Sequence, residues 1–428
     1  MSGNVLENNR DVNYIHRETC RICGSKQLYK FLELGPTPLA NSFLREDQLK
    51  GKEDYYPLDM YFCRKCHLVQ LSDIVNPEVM FKDYPYITGT SKPMQKHFFG
   101  LAKEVIHEFN IDKNDLIVDI GSNDGTLLQN FSNHGISTLG VEPASNISKL
   151  AEQKGISTIN RFFNEECAKE IRNEFGPAKA ITATNVFAHA DDLNGILHGV
   201  DALLSDDGIF VVEVPYLLNL LINVEFDTVY HEHLSYFSLH PLIWLFHNYR
   251  MDIVNVKQIP VHGGSLRIFI KRAKSIISSS SNIFLQQEKN YNIDSLATYD
   301  NFSKNVKSVK YELVELLRKL KGKGKIISGY GATAKGNTLL NYCKIGPGIL
   351  DYISDTTPFK QGRYTPGMHI PVVSENEFHA NPPDYALLLA WNYAKDILIK
   401  EREYQSKGGR FIMPIPEPHI IWELISGE

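Results

Sequence analysis

Short apolar runs alternate along the chain with longer stretches whose apolar residues recur at helical spacing. In Asp115-Leu-Ile-Val-Asp-Ile-Gly-Ser-Asn-Asp-Gly-Thr-Leu-Leu128 one such run breaks into a glycine-bearing turn and then resumes helically, which predicts strand, tight loop and helix. A helix over about 94–109 precedes it, after a linking stretch rich in Tyr and Thr, Tyr84–Met94. Further runs follow at 136–142, 178–184, 208–214, 251–258 and 265–272, with helical segments between them. Strands alternating with helices argue for a parallel, doubly wound sheet. Only Ile259-Pro-Val-His-Gly-Gly264 joins the last two runs, too short for a crossover helix, so that pair should be antiparallel. The serine-rich stretch from Ser275 reads as a hinge, followed by a long helix over about 296–320. A second strand, glycine loop and helix then begins at Lys325-Ile-Ile-Ser-Gly-Tyr-Gly-Ala-Thr-Ala-Lys-Gly-Asn337.

In open sheets of this kind ligands sit outside the carboxyl ends of the strands. Gly121 and Gly125 would let backbone approach a ligand closely, with the N–H groups of the incoming helix facing it. The spacing Asp119-x-Gly121-x-Asn123-x-Gly125 departs from the G-x-G-x-x-G of nicotinamide binders, and the next run ends in Glu142, placed to accept from two ribose hydroxyls. That pairing favours S-adenosylmethionine over NAD. The antiparallel end of the sheet also fits a methyltransferase better than a dehydrogenase.

Cys20-Arg-Ile-Cys23 and Cys63-Arg-Lys-Cys66 each place two thiolates one turn apart, as each half of a tetrahedral four-cysteine zinc site requires. Four thiolates would fill the coordination sphere and leave no place for water, so this metal should be structural; His67 is a minor alternative ligand. Cys167 and Cys343 stand alone and are expected to be reduced.

The densest chemistry lies in Phe226-Asp-Thr-Val-Tyr-His-Glu-His-Leu-Ser-Tyr236. Tyr230, His231, Glu232 and His233 offer an imidazole base, a carboxylate able to orient it and a phenol able to donate to an oxygen that becomes negative. A metal site at the His-x-His pair is a weaker alternative, since Glu232 would point elsewhere and a third ligand is needed. His189, just past a strand end, divides evenly between a structural and a functional reading. In the second glycine unit Lys335 and several N–H groups could meet a diphosphate, although the spacing is not that of a P-loop; Ser354-Asp355 and Lys360 follow a later strand end.

Composition narrows this picture. Among 428 residues 43% are hydrophobic and 22% charged, with a formal net charge of -5, so two or three ordinary globular domains are expected and no nucleic-acid partner. No segment approaches ~20 uninterrupted apolar residues, and Met1–Arg10 lacks a signal-peptide core; the expectation is a cytoplasmic protein without a membrane partner.

These motifs resemble the sugar-nucleotide C-methyltransferases that make branched deoxysugars. The resemblance runs from end to end: the two cysteine knuckles with Pro38-Leu-Ala-Asn-Ser42 between them, Asp119–Gly125, Gly140-Val-Glu-Pro143, Asn185–His189, Tyr230-His-Glu-His233, His262-Gly-Gly-Ser-Leu-Arg267 and Gly329–Gly336. It implies an α/β enzyme with a zinc-binding domain over 1–75, a seven-stranded Rossmann-like methyltransferase domain over 76–275, a hinge and connecting helix over 276–320 and a Rossmann-like sugar-nucleotide domain over 321–428. S-adenosylmethionine would meet Gly121, Ser122, Asn123, Asp124, Gly125, Glu142, Pro143 and Asn185. A nucleoside-diphosphate 4-keto-deoxysugar would meet Gly329, Gly331, Ala332, Lys335, Gly336, Asn337, Asp355 and Lys360. By the same analogy His233 is the base, Tyr230 and His189 are polar contacts of the enolate oxygen and Glu232 orients. O- or N-methylation, and a binding protein without turnover, are the competing classes. Oligomeric state is left open, with a monomer acceptable.

Overall fold

The computed structural model of the protein describes residues 14–81, 87–272 and 278–422. Met1–Arg10, part of the Tyr84–Met94 stretch and residues 275–277 of the expected hinge lie outside them, as does the side chain of His262.

The central sheet has seven strands, in the order Met251–Ile259, Ser265–Arg272, Leu204–Pro215, Ala178–Thr184, Leu116–Ile120, Ser137–Val141 and Thr158–Ile159. Ser265–Arg272 runs antiparallel to both its neighbours and the other pairs are parallel. The hairpin predicted from the short connection is therefore present. The edge strand Thr158–Ile159 has two residues, too few to leave an apolar run in the sequence. Chain order reverses between Leu116–Ile120 and Ala178–Thr184, which opens a crevice at their carboxyl ends. The preceding helix, Lys92–Glu108, starts two residues before the expected position because Ser91 caps it and Pro93 sits in its first turn.

A six-stranded sheet forms the C-terminal part, in the order Val372–Val373, Ile353–Ser354, Ile327–Tyr330, Tyr385–Leu388, Arg410–Met413 and His419–Ile421. Here too the order reverses beside the first strand, and the last strand pairs antiparallel. Part of the expected hinge is helical: Ser278 accepts from the Ser281 N–H and opens a helix over Ser279–Asn290, since serine clusters serve as N-caps as readily as linkers. The long helix extends over Leu296–Gly322 and buries Tyr299 and Phe302 against Phe31, while Tyr29 donates to Asp300 at 2.6 Å.

The N-terminal module is built on antiparallel strands Leu28–Glu33, Asp59–Cys63 and Val69–Leu71. Its fourth strand, Ser235–Tyr236, comes from the segment that follows His233 and pairs with Val69–Leu71. One apolar core runs continuously from this module through the central sheet to the C-terminal sheet. Among the described residues no helix is long and apolar enough to cross a membrane.

Candidate active site

Both crevices open into one cavity of about 970 Å3, a size that fits a cofactor and a substrate together. On the central side Gly121 has φ 66°, and a Cβ there would lie 2.4 Å from Val186 Cγ2, so only glycine lets the loop pass this close. Glu142 accepts from the N–H groups of Asn123 (2.9 Å) and Ala144 (2.8 Å), which ties the glycine loop to the next strand end. Burial raises its carboxyl above the usual range, against the pull of those N–H groups. Asp119 accepts from Thr182 Oγ1 at 2.6 Å and is pushed up to about 7 by burial.

Among the described residues Ser122 Oγ and Asn185 Oδ1 have no hydrogen-bond partner, and both are buried at this rim. Unpartnered polar atoms beside a glycine cradle fit a polar ligand such as S-adenosylmethionine. Gly121, Ser122, Asn123, Glu142, Pro143 and Asn185 line the cavity. Asp124 and Gly125 do not. Asp124 instead accepts from Gly89 N–H (3.1 Å) and Thr126 Oγ1 (2.7 Å) and pairs with Lys154, while Gly125 caps the helix Thr126–Ser132 against Ile156.

Tyr230, Glu232, His233 and His189 all line the cavity. His233 Nδ1 lies 2.9 Å from the Thr228 carbonyl, and Nε2 lies 2.8 Å from the Tyr230 hydroxyl. A carbonyl only accepts, so the proton sits on Nδ1 and Nε2 carries the lone pair. The position expected for the orienting carboxylate is thus taken by Thr228. Glu232 accepts from Asn41 Nδ2 at 2.6 Å, a residue of the N-terminal module that also lines the cavity. The His189 and His233 rings are 5.0 Å apart, and burial lowers His189 to about 4. It is neutral at pH 7.

His231 is buried elsewhere, its Nε2 3.2–3.3 Å from the carbonyls of Tyr56 and Pro57, so the His-x-His pair does not converge. Among the described residues one group of three or more possible metal ligands occurs, Cys20, Cys23, Cys63 and Cys66, with all four sulfurs within 4.8 Å of one another. A tetrahedral four-sulfur site with Zn–S near 2.3 Å needs sulfurs about 3.8 Å apart. The donor set fits zinc. His67 lies outside that group and stacks between Phe62 and His240.

On the C-terminal side Gly331, Lys335, Asp355 and Lys360 line the cavity. Asp355 accepts from Ala332 N–H (2.6 Å) and Thr357 N–H (2.8 Å), and Lys360 donates to the Ala332 carbonyl (2.8 Å), so these two side chains also hold the loop. Four expected contacts are displaced. Gly329 is strand packing against Ile353 and Leu389, Gly336 packs on Leu389, Ala332 is buried in the clamp, and Asn337 donates to the Ala40 carbonyl at 2.6 Å. Glycine and asparagine in such a loop signal close packing as readily as ligand contact.

Glu225 and Thr228 also line the cavity and the pair Asp227–Trp391 stands beside Lys335; sequence reasoning gave none of the four a role. Trp391 Nε1 donates to Asp227 at 2.5 Å, and Lys335 Nζ lies 4.7 Å from the centre of the Trp391 ring. Burial lowers the Lys335 ammonium below its usual range, with Asp227 and Glu225 opposing, and raises Glu225 to about 7. Acidic residues in the apolar stretch after Leu221 were the available signal.

Three family profiles match the chain in order: "Putative zinc binding domain" over 20–81, "Methyltransferase domain" over 94–256 and "C-methyltransferase C-terminal domain" over 260–416. The chain is also 38% identical over 406 residues to C-methyltransferase NovU of Streptomyces niveus, covering 94% of this chain and 97% of that protein. The chain belongs to the C-methyltransferase family. This C-methyltransferase is S-adenosylmethionine-dependent and carries a four-cysteine zinc-binding module. The chain is similar over part of its length to magnesium protoporphyrin IX methyltransferase of Synechocystis PCC 6803 (10% identity, TM-score 0.33, 42% of this chain and 79% of that one). A likeness to YcgJ of Bacillus subtilis is of the same order (16% identity, TM-score 0.32, 41% and 99%).

Proposed function

We propose that the enzyme methylates a carbon beside the ketone of a nucleoside-diphosphate 4-keto-6-deoxysugar, at carbon 3, in branched-sugar biosynthesis. The observation that carries the reading is the fixed tautomer of His233, whose basic Nε2 stands in a cavity shared by two nucleotide-type crevices. The ketone acidifies the neighbouring carbon, and His233 takes that proton on Nε2 while the electron pair passes through the C–C bond to the carbonyl oxygen. With substrate bound the Tyr230 O–H turns from Nε2 to that oxygen, which frees the lone pair, and a neutral His189 N–H donates beside it; each such donor is worth on the order of 100-fold in rate. S-adenosylmethionine, which Gly121, Asn123, Glu142 and Asn185 would hold, would supply an electrophilic methyl to the nucleophilic carbon with its thioether as the leaving group. Lys335, which lines the cavity, would meet the diphosphate, and Asp355 with Lys360 keeps the second loop in place. Glu232, held by Asn41, lies in the wall beside the base.

Incubation with dTDP- and GDP-4-keto-6-deoxyhexoses in heavy water, with and without the cofactor, tests this by mass and NMR. The expected result is deuterium exchange at the carbon next to the ketone without cofactor and a new C-methyl group with it. Cofactor binding with neither exchange nor C-methylation of any ketosugar would overturn the reading in favour of O- or N-methylation.

A further inference from the structure

We infer that Arg21, inside the first cysteine knuckle, is a positioning residue that sets the geometry of His233 and His189. The inference rests on the role proposed for His233. The Arg21 side chain is fully buried between the N-terminal module and the catalytic segment. Its Nη1 donates to the Leu234 carbonyl and reaches Ser235 Oγ at 3.5 Å, Nη2 donates to the Leu71 carbonyl at 3.0 Å, and Nε lies 3.4 Å from Asp191 Oδ1. Its backbone N–H donates to Gln70 at 2.9 Å.

The acceptors on Leu234 and Asp191 are each a step from a functional group. Leu234 follows His233 directly, and Asp191 comes two residues after His189. The two histidine segments are joined to each other by the Leu234 N–H, which donates to the Ala188 carbonyl at 2.8 Å. Arg21 therefore closes a frame of three chain segments, of which two carry imidazoles with rings 5.0 Å apart. A guanidinium presents five donors in a rigid fork and can serve all these acceptors in one plane, which an ammonium cannot. The flanking Cys20 and Cys23 fix the backbone from which the fork projects. A zinc knuckle that served stability alone would need no buried charge aimed at the active-site segment, since burying one is costly.

The test compares the full-length holoenzyme with R21M, R21K and D191N, reading zinc content, cofactor Kd, kcat and KM for methyl transfer, and the 15N signals of the His233 imidazole. R21M should keep its zinc, because the thiolates are untouched, and its fold, because Asp191 retains Arg17 at 2.5 Å. Its cofactor Kd should stay within about twofold while kcat falls about 100-fold, the loss expected when a reacting group is misplaced by about 1 Å. The His233 signals should leave the Nδ1–H tautomer, R21K should recover part of both effects, and D191N should shift them in the same direction by less. Wild-type tautomer and kcat within twofold in R21M would overturn the inference. So would parallel loss of zinc, cofactor binding and kcat in R21M and R21K alike with D191N unchanged, which is the pattern of a merely structural residue. If the wild type neither exchanges nor methylates a ketosugar, the proposed function fails, and the tautomer comparison alone still decides the role of Arg21.

Discussion

The Tyr230 hydroxyl lies 2.8 Å from Nε2 of His233, while the other ring nitrogen is held by the Thr228 carbonyl. The pair is a base with a phenol already directed at its lone pair. Removing each partner should give a different loss. His233→Ala should abolish both deuterium exchange and methyl transfer and leave cofactor Kd unchanged. Tyr230→Phe should slow both exchange and methyl transfer by about 100–1,000-fold, the range for one donor to a developing oxyanion, without abolishing either. Near-normal turnover in His233→Ala would remove it from the base role.

Glu142 holds two N–H groups of the cofactor loop and still lines the cavity. Glu142→Gln keeps the shape but replaces one acceptor by a donor facing a donor. Cofactor Kd should rise about 10-fold or more, in line with ~1.5–3 kcal/mol for hydrogen bonds to charged groups. Calorimetric titration checks this.

Lys335 lines the cavity, with the carboxylates of Asp227 and Glu225 and the Trp391 ring beside it. Lys335→Met should raise KM for the sugar nucleotide by about 10–100-fold on the same scale, with cofactor Kd intact. An equal fall in affinity for both ligands would show damage to the fold instead.

Glu288 is buried, accepts from the Tyr216 hydroxyl (3.0 Å) and the Leu239 N–H (2.6 Å), and is raised to about 7 by burial. Its folded pKa lies above the unfolded value, so the folded state binds the extra proton between pH 4.5 and 7. Stability from this group is complete below about 4.5 and is lost as pH rises to 7, by on the order of 3 kcal/mol. Glu288→Gln has no proton to lose. Denaturant titrations should therefore show the variant gaining on the wild type from pH 5 to 7.5 and levelling above it; a pH-independent difference would refute this.

Removal of the metal by chelation, or Cys63→Ser, should cost about one zinc per chain and lower Tm. Because Ser235–Tyr236 belongs to the same sheet as Cys63, activity should fall before the central domain loses cofactor affinity.

Much of this was legible in the sequence. The glycine loop after Ile120, the knuckles at Cys20 and Cys63 and the Tyr230–His233 cluster all announce themselves because local chemistry forces residue type at fixed spacing. What stayed hidden is contact between distant segments. Nothing near Asn337 in the sequence says that its amide is taken by Ala40, and nothing near Glu232 announces Asn41. The orienting group of His233 is a backbone carbonyl, which every residue possesses, so no side chain marks Thr228. Thr158–Ile159 and the helix opening at Ser279 show the other limit: a two-residue strand and a serine cap carry too little pattern to be told from loop.

The strand that completes the metal-binding sheet also bears on how the protein is made. Leu28–Leu71 leaves the ribosome well before Ser235–Tyr236, and at roughly 5–20 residues per second the gap is on the order of ten seconds. During that interval the nascent module can bind its ion, yet it presents the unpaired edge of Val69–Leu71 to whatever is near. Newly made chains at high concentration are thus open to edge-to-edge pairing until the catalytic segment arrives, and the active site is assembled by the same event that closes the edge.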